Sequence, residues 1–145
     1  LLISKLLKHN PKGAGHEGIK NVFRILPRDH TLVFLISDFH MPLKDIEYSL
    51  SRLTKHTIVP IILWNKSEYE DLPRFGIIAV TDPESGQEKT IFLRKKMLHK
   101  IKDKFLNRKE ELEKLFLKYD SPAFFVNDNF KALEMTQYFN KHYHA

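Results

Sequence analysis

The chain predicts a three-layer α/β fold, a mostly parallel sheet with helices on both faces and an added β-hairpin, and three observations predict it. Residues 32–36 form an unbroken apolar run, Leu-Val-Phe-Leu-Ile, stopped at Ser37 and Asp38. A run that does not alternate with polar residues reads as a central parallel strand covered on both faces. Residues 57–64, Thr-Ile-Val-Pro-Ile-Ile-Leu-Trp, form a second β-branched apolar run. Between the two, Ile46, Leu50 and Leu53 recur at helical spacing. Strand, helix and strand in that order make a right-handed parallel crossover.

The remaining elements follow in order. Leu1, Leu2, Ile3, Leu6 and Leu7 suit a helix end closed by Asn10-Pro11, and residues 12–18 are a loop whose glycines allow close backbone approach. Ile19, Val22, Phe23 and Leu26 fall at i, i+3, i+4 and i+7, one face of an amphipathic helix that Pro27 ends. Asp45 stands near the positive end of the helix after the first strand. Pro60 cannot donate to a ladder, which points to a bulge or to an edge position on one side of the second strand. Residues 65–75 are a polar loop at the same sheet end as Asp38. Residues 76–80 and 89–93 flank Thr-Asp-Pro-Glu-Ser-Gly-Gln, whose turn residues predict a β-hairpin. A long helix over about 95–119 follows, with Leu98, Ile101, Phe105, Leu112, Leu115 and Phe116 as its buried positions. Residues 122–126 are a third short strand, and a helix over 129–142, apolar at Phe130, Leu133 and Phe139, closes the chain.

Composition limits the function classes. At 145 residues the chain reads as one domain, long enough to bury a core without staples. It has no cysteine, which excludes disulfides, thiolate zinc sites and cysteine nucleophiles. The formal charge of +6, from 24 Lys and Arg against 18 Asp and Glu, favours acidic partners, but is far from the basic stripes of nucleic-acid binders. No apolar run approaches a membrane span. The chain opens without methionine inside an apolar pattern, so it reads as a piece of a longer cytoplasmic protein with no signal peptide.

A family comes into view from the order of these motifs. A helix, a Gly-rich loop, a helix, a strand ending Ser37-Asp38, a helix and an apolar strand resemble the later part of a von Willebrand factor A-type domain, which is Rossmann-like. Asn65, Glu68-Tyr69-Glu70-Asp71-Leu72-Pro73, Phe75-Gly76 and the hairpin tip Asp82-Pro83-Glu84-Ser85-Gly86 narrow it. Together they resemble the bacterial family catalogued as domain of unknown function fifty-eight. That resemblance implies a metal-ion-dependent adhesion site, of which only the strand-ending aspartate maps, onto Asp38. His16 stands where the family places a threonine, and the Asp-x-Ser-x-Ser loop would precede Leu1. Magnesium is expected only in the full-length parent, since near-octahedral oxygen ligation needs several ligands. The resemblance also implies that the strand starting at Thr31 is an exposed edge, a hazard unless a rearranged segment or a second copy, as in a homodimer, covers it.

Candidate site residues cluster at the carboxyl ends of the strands, where ligands sit in open α/β sheets. Asp38 reads as a metal ligand, a binding contact or a loop cap. Gly15, His16 and Glu17 read as an anion or metal loop, or as a plain turn. Glu68, Glu70 and Asp71 offer carboxylates that would support acid–base or two-metal chemistry, or form a solvated loop. Arg94, Lys95, Lys96, Lys100, Lys102 and Lys104 oppose the dipole of the long helix and suit an acidic partner, or are a solvated face balanced by Glu110, Glu111 and Glu113. No nucleophile elbow, phosphate loop or dinucleotide fingerprint is present.

The expected function is a non-enzymatic protein–protein interaction module, with a partner surface of Gly15, His16, Glu17, Asp38, Phe39, His40 and Glu68. The resemblance implies a MoxR-type AAA ATPase as partner, in assembly or maturation of other proteins. Two alternatives remain at this level. One is a metal-dependent phosphoesterase or nuclease using Asp38 with Glu68 or Asp71. The other is a basic nucleic-acid-binding module on the 94–104 face, whose affinity would fall steeply with salt.

Overall fold

The computed structural model describes residues 17–70, 72–73, 76–81 and 88–143. The proposed first helix, Gly15, His16, Asp71 and the hairpin tip lie outside the described residues. The elements are α1 (Glu17–Asn21), β1 (Leu32–Ser37), α2 (Leu43–Arg52), β2 (Thr57–Trp64), β3 (Gly76–Thr81), β4 (Glu88–Leu93), α3 (Lys95–Lys118), β5 (Phe124–Asn127) and α4 (Ala132–Tyr143). The result is a mixed α/β arrangement with a parallel three-stranded sheet in the order β1-β2-β5 and a separate antiparallel pair, β3-β4.

The first correction concerns β1. It is an edge strand, and β2 takes the central place. Its side chains alternate: Val33 and Leu35 are buried, whereas Leu32, Phe34 and Ile36 are 47%, 47% and 62% exposed. An apolar run specifies extended backbone, but coverage of its second face depends on which elements lie opposite. Among the described residues only α4 packs on that side, and it sits over β2 and β5, reaching β1 through the edge contact of Phe139 with Phe34 at 6.3 Å. The edge position implied by the family resemblance is the one observed.

Two apolar clusters lie on opposite faces of the sheet. Val33, Leu35, Ile58, Ile62 and Trp64 meet Ile46, Leu50, Leu53, Leu112 and Phe116 on one side. Val59, Ile61, Phe124, Val126 and Tyr138 form the other. In α2, the predicted positions Ile46, Leu50 and Leu53 are buried, each contributing about 1.5–3 kcal/mol. Asp45 in its first turn lies 3.4 Å from Lys20 of α1 and satisfies the positive helix end.

Pro60 is accommodated by the edges of the ladders. The Thr57 amide donates to the Thr31 carbonyl on the β1 side, and the Ile58 carbonyl accepts from the Tyr143 hydroxyl on the opposite side. Pro60, two residues on from Ile58, shares that opposite side. Pairing with β5 begins only at Ile61. Its missing N–H therefore removes no ladder bond, as the expected one-sided edge position requires.

The long helix departs from its expected buried stripe. Only Leu112 and Phe116 of α3 are buried. Phe105 and Leu115 pack partly against the core, and Leu98 and Ile101 are half-buried. At about 1.5 Å per residue the helix is longer than the sheet is wide, so its first half runs past the core. The last helix starts at Ala132, so Phe130 precedes it; Phe130 and Leu133 are 59% and 70% exposed, and Tyr138 is the buried residue instead. The Tyr138 hydroxyl donates to the Pro122 carbonyl, which ties α4 to the start of β5.

Candidate functional site

Asp38 follows the last residue of β1, so it stands at the carboxyl rim of the sheet, and it is exposed. Its local role is to fold the turn. One carboxylate oxygen accepts from the Ser37 hydroxyl at 3.4 Å and from the His40 amide at 3.2 Å. The Ser37 hydroxyl oxygen accepts the Phe39 amide at 3.1 Å. Short polar side chains that capture nearby amides replace the strand ladder and turn the chain sharply.

That turn places Phe39 at φ 53°, a strained conformation for a bulky residue. Its ring is fully buried and meets Phe116 edge-on at 5.1 Å. Burial of the ring offsets a strain of about 1–3 kcal/mol. Phe39, expected on the partner surface, is instead fully buried as a core anchor, and the turn it fixes leaves His40 exposed.

His40 enters an aromatic group at the rim. It stacks on Trp64 with centroids 6.1 Å apart and planes 3° apart, and meets Phe105 edge-on at 5.7 Å. Trp64 lies 5.3 Å from both Phe105 and Phe125, and Tyr69 stacks on Phe105 at 4.7 Å. The Trp64 indole N–H donates to the Asp38 carbonyl at 2.9 Å, joining the ends of β1 and β2. Arg108 of α3 donates to the Phe39 carbonyl at 2.8 Å and to that of Met41, fixing the same turn from the helix side.

Glu68 belongs to this group through a 3-10 turn. The Asn65 side chain accepts from the Ser67 amide at 2.9 Å and caps the turn, bringing a Glu68 carboxylate oxygen to 3.9 Å from His40 Nε2. Asp128, after β5, accepts the Lys66 amide at 2.8 Å and anchors the turn to the third strand. His40, Lys104, Phe105 and Arg108 line a shallow depression of about 300 Å³ beside it.

Of the residues expected at the site, Asp38, His40 and Glu68 come together. Gly15 and His16 are outside the described residues. Glu17 opens α1 rather than lying in a loop, and Gly18 follows it in that helix. Gly18 still comes beside the rim: with Ile19, Val22, Phe34, Ile36 and Met41 it lines a groove of about 380 Å³ along the outer edge of β1. Among the described residues no three His, Asp or Glu side chains gather as a metal site. Asp38 with His40 and Glu68 therefore does not fit magnesium, which needs several oxygen ligands.

Trp64, Tyr69, Phe105 and Arg108 were not singled out from the sequence as site residues. The available signal was the aromatic residue ending β2, because a strand-terminal indole keeps its ring in the core and its N–H at the rim. Phe105 and Arg108, at i and i+3 on one helix, reach the same rim.

Comparison with known proteins completes the picture. No solved structure matches the chain. A curated relative from Paracoccus denitrificans, an uncharacterised protein in the moxR 3′ region, is 30% identical over 66 residues. The aligned part is 46% of this chain and 63% of the relative, so the match leaves more than a third of that protein uncovered. The family model described as Protein of unknown function DUF58 matches residues 1–112, which takes in the rim from Asp38 to Arg108. The chain belongs to that family.

Proposed function

We propose that the carboxyl rim of the β1-β2-β5 sheet is a non-catalytic protein-binding surface in a von Willebrand factor A-like domain, and that its partner is a MoxR-type AAA ATPase acting in protein assembly or maturation. The observation that carries this reading is the rim itself: exposed Asp38, His40 and Glu68 stand beside a packed aromatic group, on a turn clamped by Arg108. Pre-organised aromatic and arginine groups framed by polar side chains are the composition of interface centres. The relative's position in the moxR 3′ region supports the choice of partner. A cytoplasmic setting goes with such a partner, and no helix among the described residues is long and apolar enough to cross a membrane.

The test is surface plasmon resonance of the protein over an immobilised MoxR-type ATPase from the same organism. The double variant His40→Ala, Glu68→Lys changes two exposed side chains and leaves the turn bonds of Ser37 and Asp38 in place. Saturable binding that the double variant abolishes is expected. Absence of binding, or equal binding by the variant, removes the reading.

A second reading concerns the free edge of β1. Leu32, Phe34 and Ile36 are exposed on an edge strand that pairs with no second strand among the described residues, which is the kind of edge that recruits another strand. We propose that two copies cover it in a homodimer.

A further inference from the structure

The cations of α3 are distributed unevenly. In its second half they are paired: Arg108 with Glu111 at 3.4 Å, Lys109 with Glu113 at 3.9 Å, Lys114 with Glu110 at 3.8 Å and Lys118 with Glu47 at 2.6 Å. Lys96, Lys100 and Lys104 in the first half are exposed and form no ion pair with a described residue. Across residues 94–108 seven cations face one acid, Asp103. Lys96, Lys100, Lys104 and Arg108 are each four residues apart, so they form one row along the helix surface with rungs about 6 Å apart. Like charges at that spacing repel, and Lys96 stands in the first turn of the helix, where the dipole is already positive.

The row has a defined start and finish. At the hairpin end it borders a groove of about 290 Å³ lined by Phe92, Arg94, Lys96, Met97 and Lys100. Phe92 is 42% and Met97 is 36% exposed there. At the other end Lys104 and Arg108 line the depression beside His40.

We infer that this row is a docking track for an acidic amphipathic helix of another protein, with carboxylates at i, i+4 and i+8 facing Lys96, Lys100 and Lys104 and one apolar side chain in the Phe92–Met97 groove. Charge complementarity sets the partner, and the rung spacing sets its conformation, because a helix repeats its side chains at the same interval. Nucleic acid fits less well. The three rungs are lysines, point charges without the planar fork that grips phosphate. The Phe92 ring, which would stack a base, is occupied by the Arg94 guanidinium at 5.4 Å. Methionine beside the groove suits a protein side chain, since its flexible thioether adapts to irregular apolar shapes. The inference stands apart from the ATPase reading, because its lysines run along α3 away from the rim they adjoin at Lys104, and it names no particular protein.

The test is fluorescence anisotropy with a labelled helical peptide bearing glutamates at i, i+4 and i+8 and one leucine a turn beyond. Its controls are the same peptide with glutamine, a single-stranded oligonucleotide of equal charge, and phosphatidylglycerol vesicles. The protein is compared with the variants Lys96→Glu/Lys100→Glu/Lys104→Glu and Lys96→Gln/Lys100→Gln/Lys104→Gln, with circular dichroism verifying that each is folded. The acidic peptide is expected to bind about tenfold or more tightly to the unaltered protein than to either variant, and to weaken with salt. No binding of the peptide, equal binding by the variants or by the glutamine peptide, or tighter binding of the oligonucleotide or the vesicles would each overturn the inference.

Discussion

The guanidinium of Arg108 reaches the carbonyl of Phe39 at 2.8 Å across 69 residues of sequence, and the carbonyl of Met41 accepts from the same nitrogen. One side chain of α3 thereby satisfies two backbone acceptors of the rim turn. Arg108→Ala would leave both carbonyls without that donor and is expected to cost about 1.5–3 kcal/mol. Arg108→Lys would recover part of the loss, because an ammonium also donates several hydrogen bonds from one nitrogen but sits on a shorter side chain than the guanidinium Nη2 that meets both carbonyls. Urea unfolding of the two variants against the unaltered protein measures both.

Phe39 is held at φ 53° by the buried contact of its ring with Phe116. Phe39→Ala removes the contact, leaves the unfavourable backbone, and is expected to destabilise by about 3–5 kcal/mol. Chemical denaturation gives the value. A loss below about 1 kcal/mol would mean that the ring does not hold the turn.

Much of this arrangement was legible beforehand, and the reasons for the rest are physical. The β2 run from Thr57 to Trp64 and the α2 positions Ile46, Leu50 and Leu53 were readable because strand length and helical period are local properties. The place of β1 in the sheet followed from the family resemblance and not from its own residues, since Leu32, Phe34 and Ile36 carry the same composition whether or not an element covers them. Phe39 sits among Ser37, Asp38 and His40, a polar context that hid a core residue. Arg108 resembled one more solvated cation, and only the long-range fold brings it to the turn. Leu133 suits a helix face that α4 turns away from the sheet, and Phe130 lies before the helix begins.

The Glu47 carboxylate accepts from Lys118 at 2.6 Å, linking α2 to the end of α3. The hydrogen bond to Lys118, then its charge, lowers the Glu47 pKa from the ordinary 4.5. A group with a depressed folded pKa stabilises above its unfolded value, and that contribution is lost as pH falls through the folded one. Stability should therefore drop on acidification below about pH 4.5, and Glu47→Gln should flatten this part of the profile. Thermal melts from pH 7 to pH 3 report both effects.

Tyr138 behaves in the opposite sense. Burial, then the hydrogen bond with Tyr143, raises its pKa far above the ordinary 10.0. The neutral phenol is favoured in the folded state, so its contribution is intact below about pH 10 and is lost as pH rises beyond. Tyr138→Phe is expected to cost about 1 kcal/mol at neutral pH, leaving the Pro122 carbonyl without its donor, and to lessen the alkaline loss. Denaturant titrations at pH 8 and pH 11 read the difference.

If two copies cover the β1 edge, a charge on its exposed face will separate them. Phe34→Lys or Ile36→Lys is expected to shift sedimentation toward the monomer, leaving buried Val33 and Leu35 in place. An unaltered protein that sediments as a monomer at all concentrations would dispose of the dimer.

Amide hydrogen exchange of the protein with and without a MoxR-type ATPase addresses the binding rim most directly. Slowed exchange at residues 37–41, 64–70 and 105–108 on adding the ATPase is the predicted result. Unchanged exchange there, with slowing confined to β1 or to residues 94–104, would contradict it.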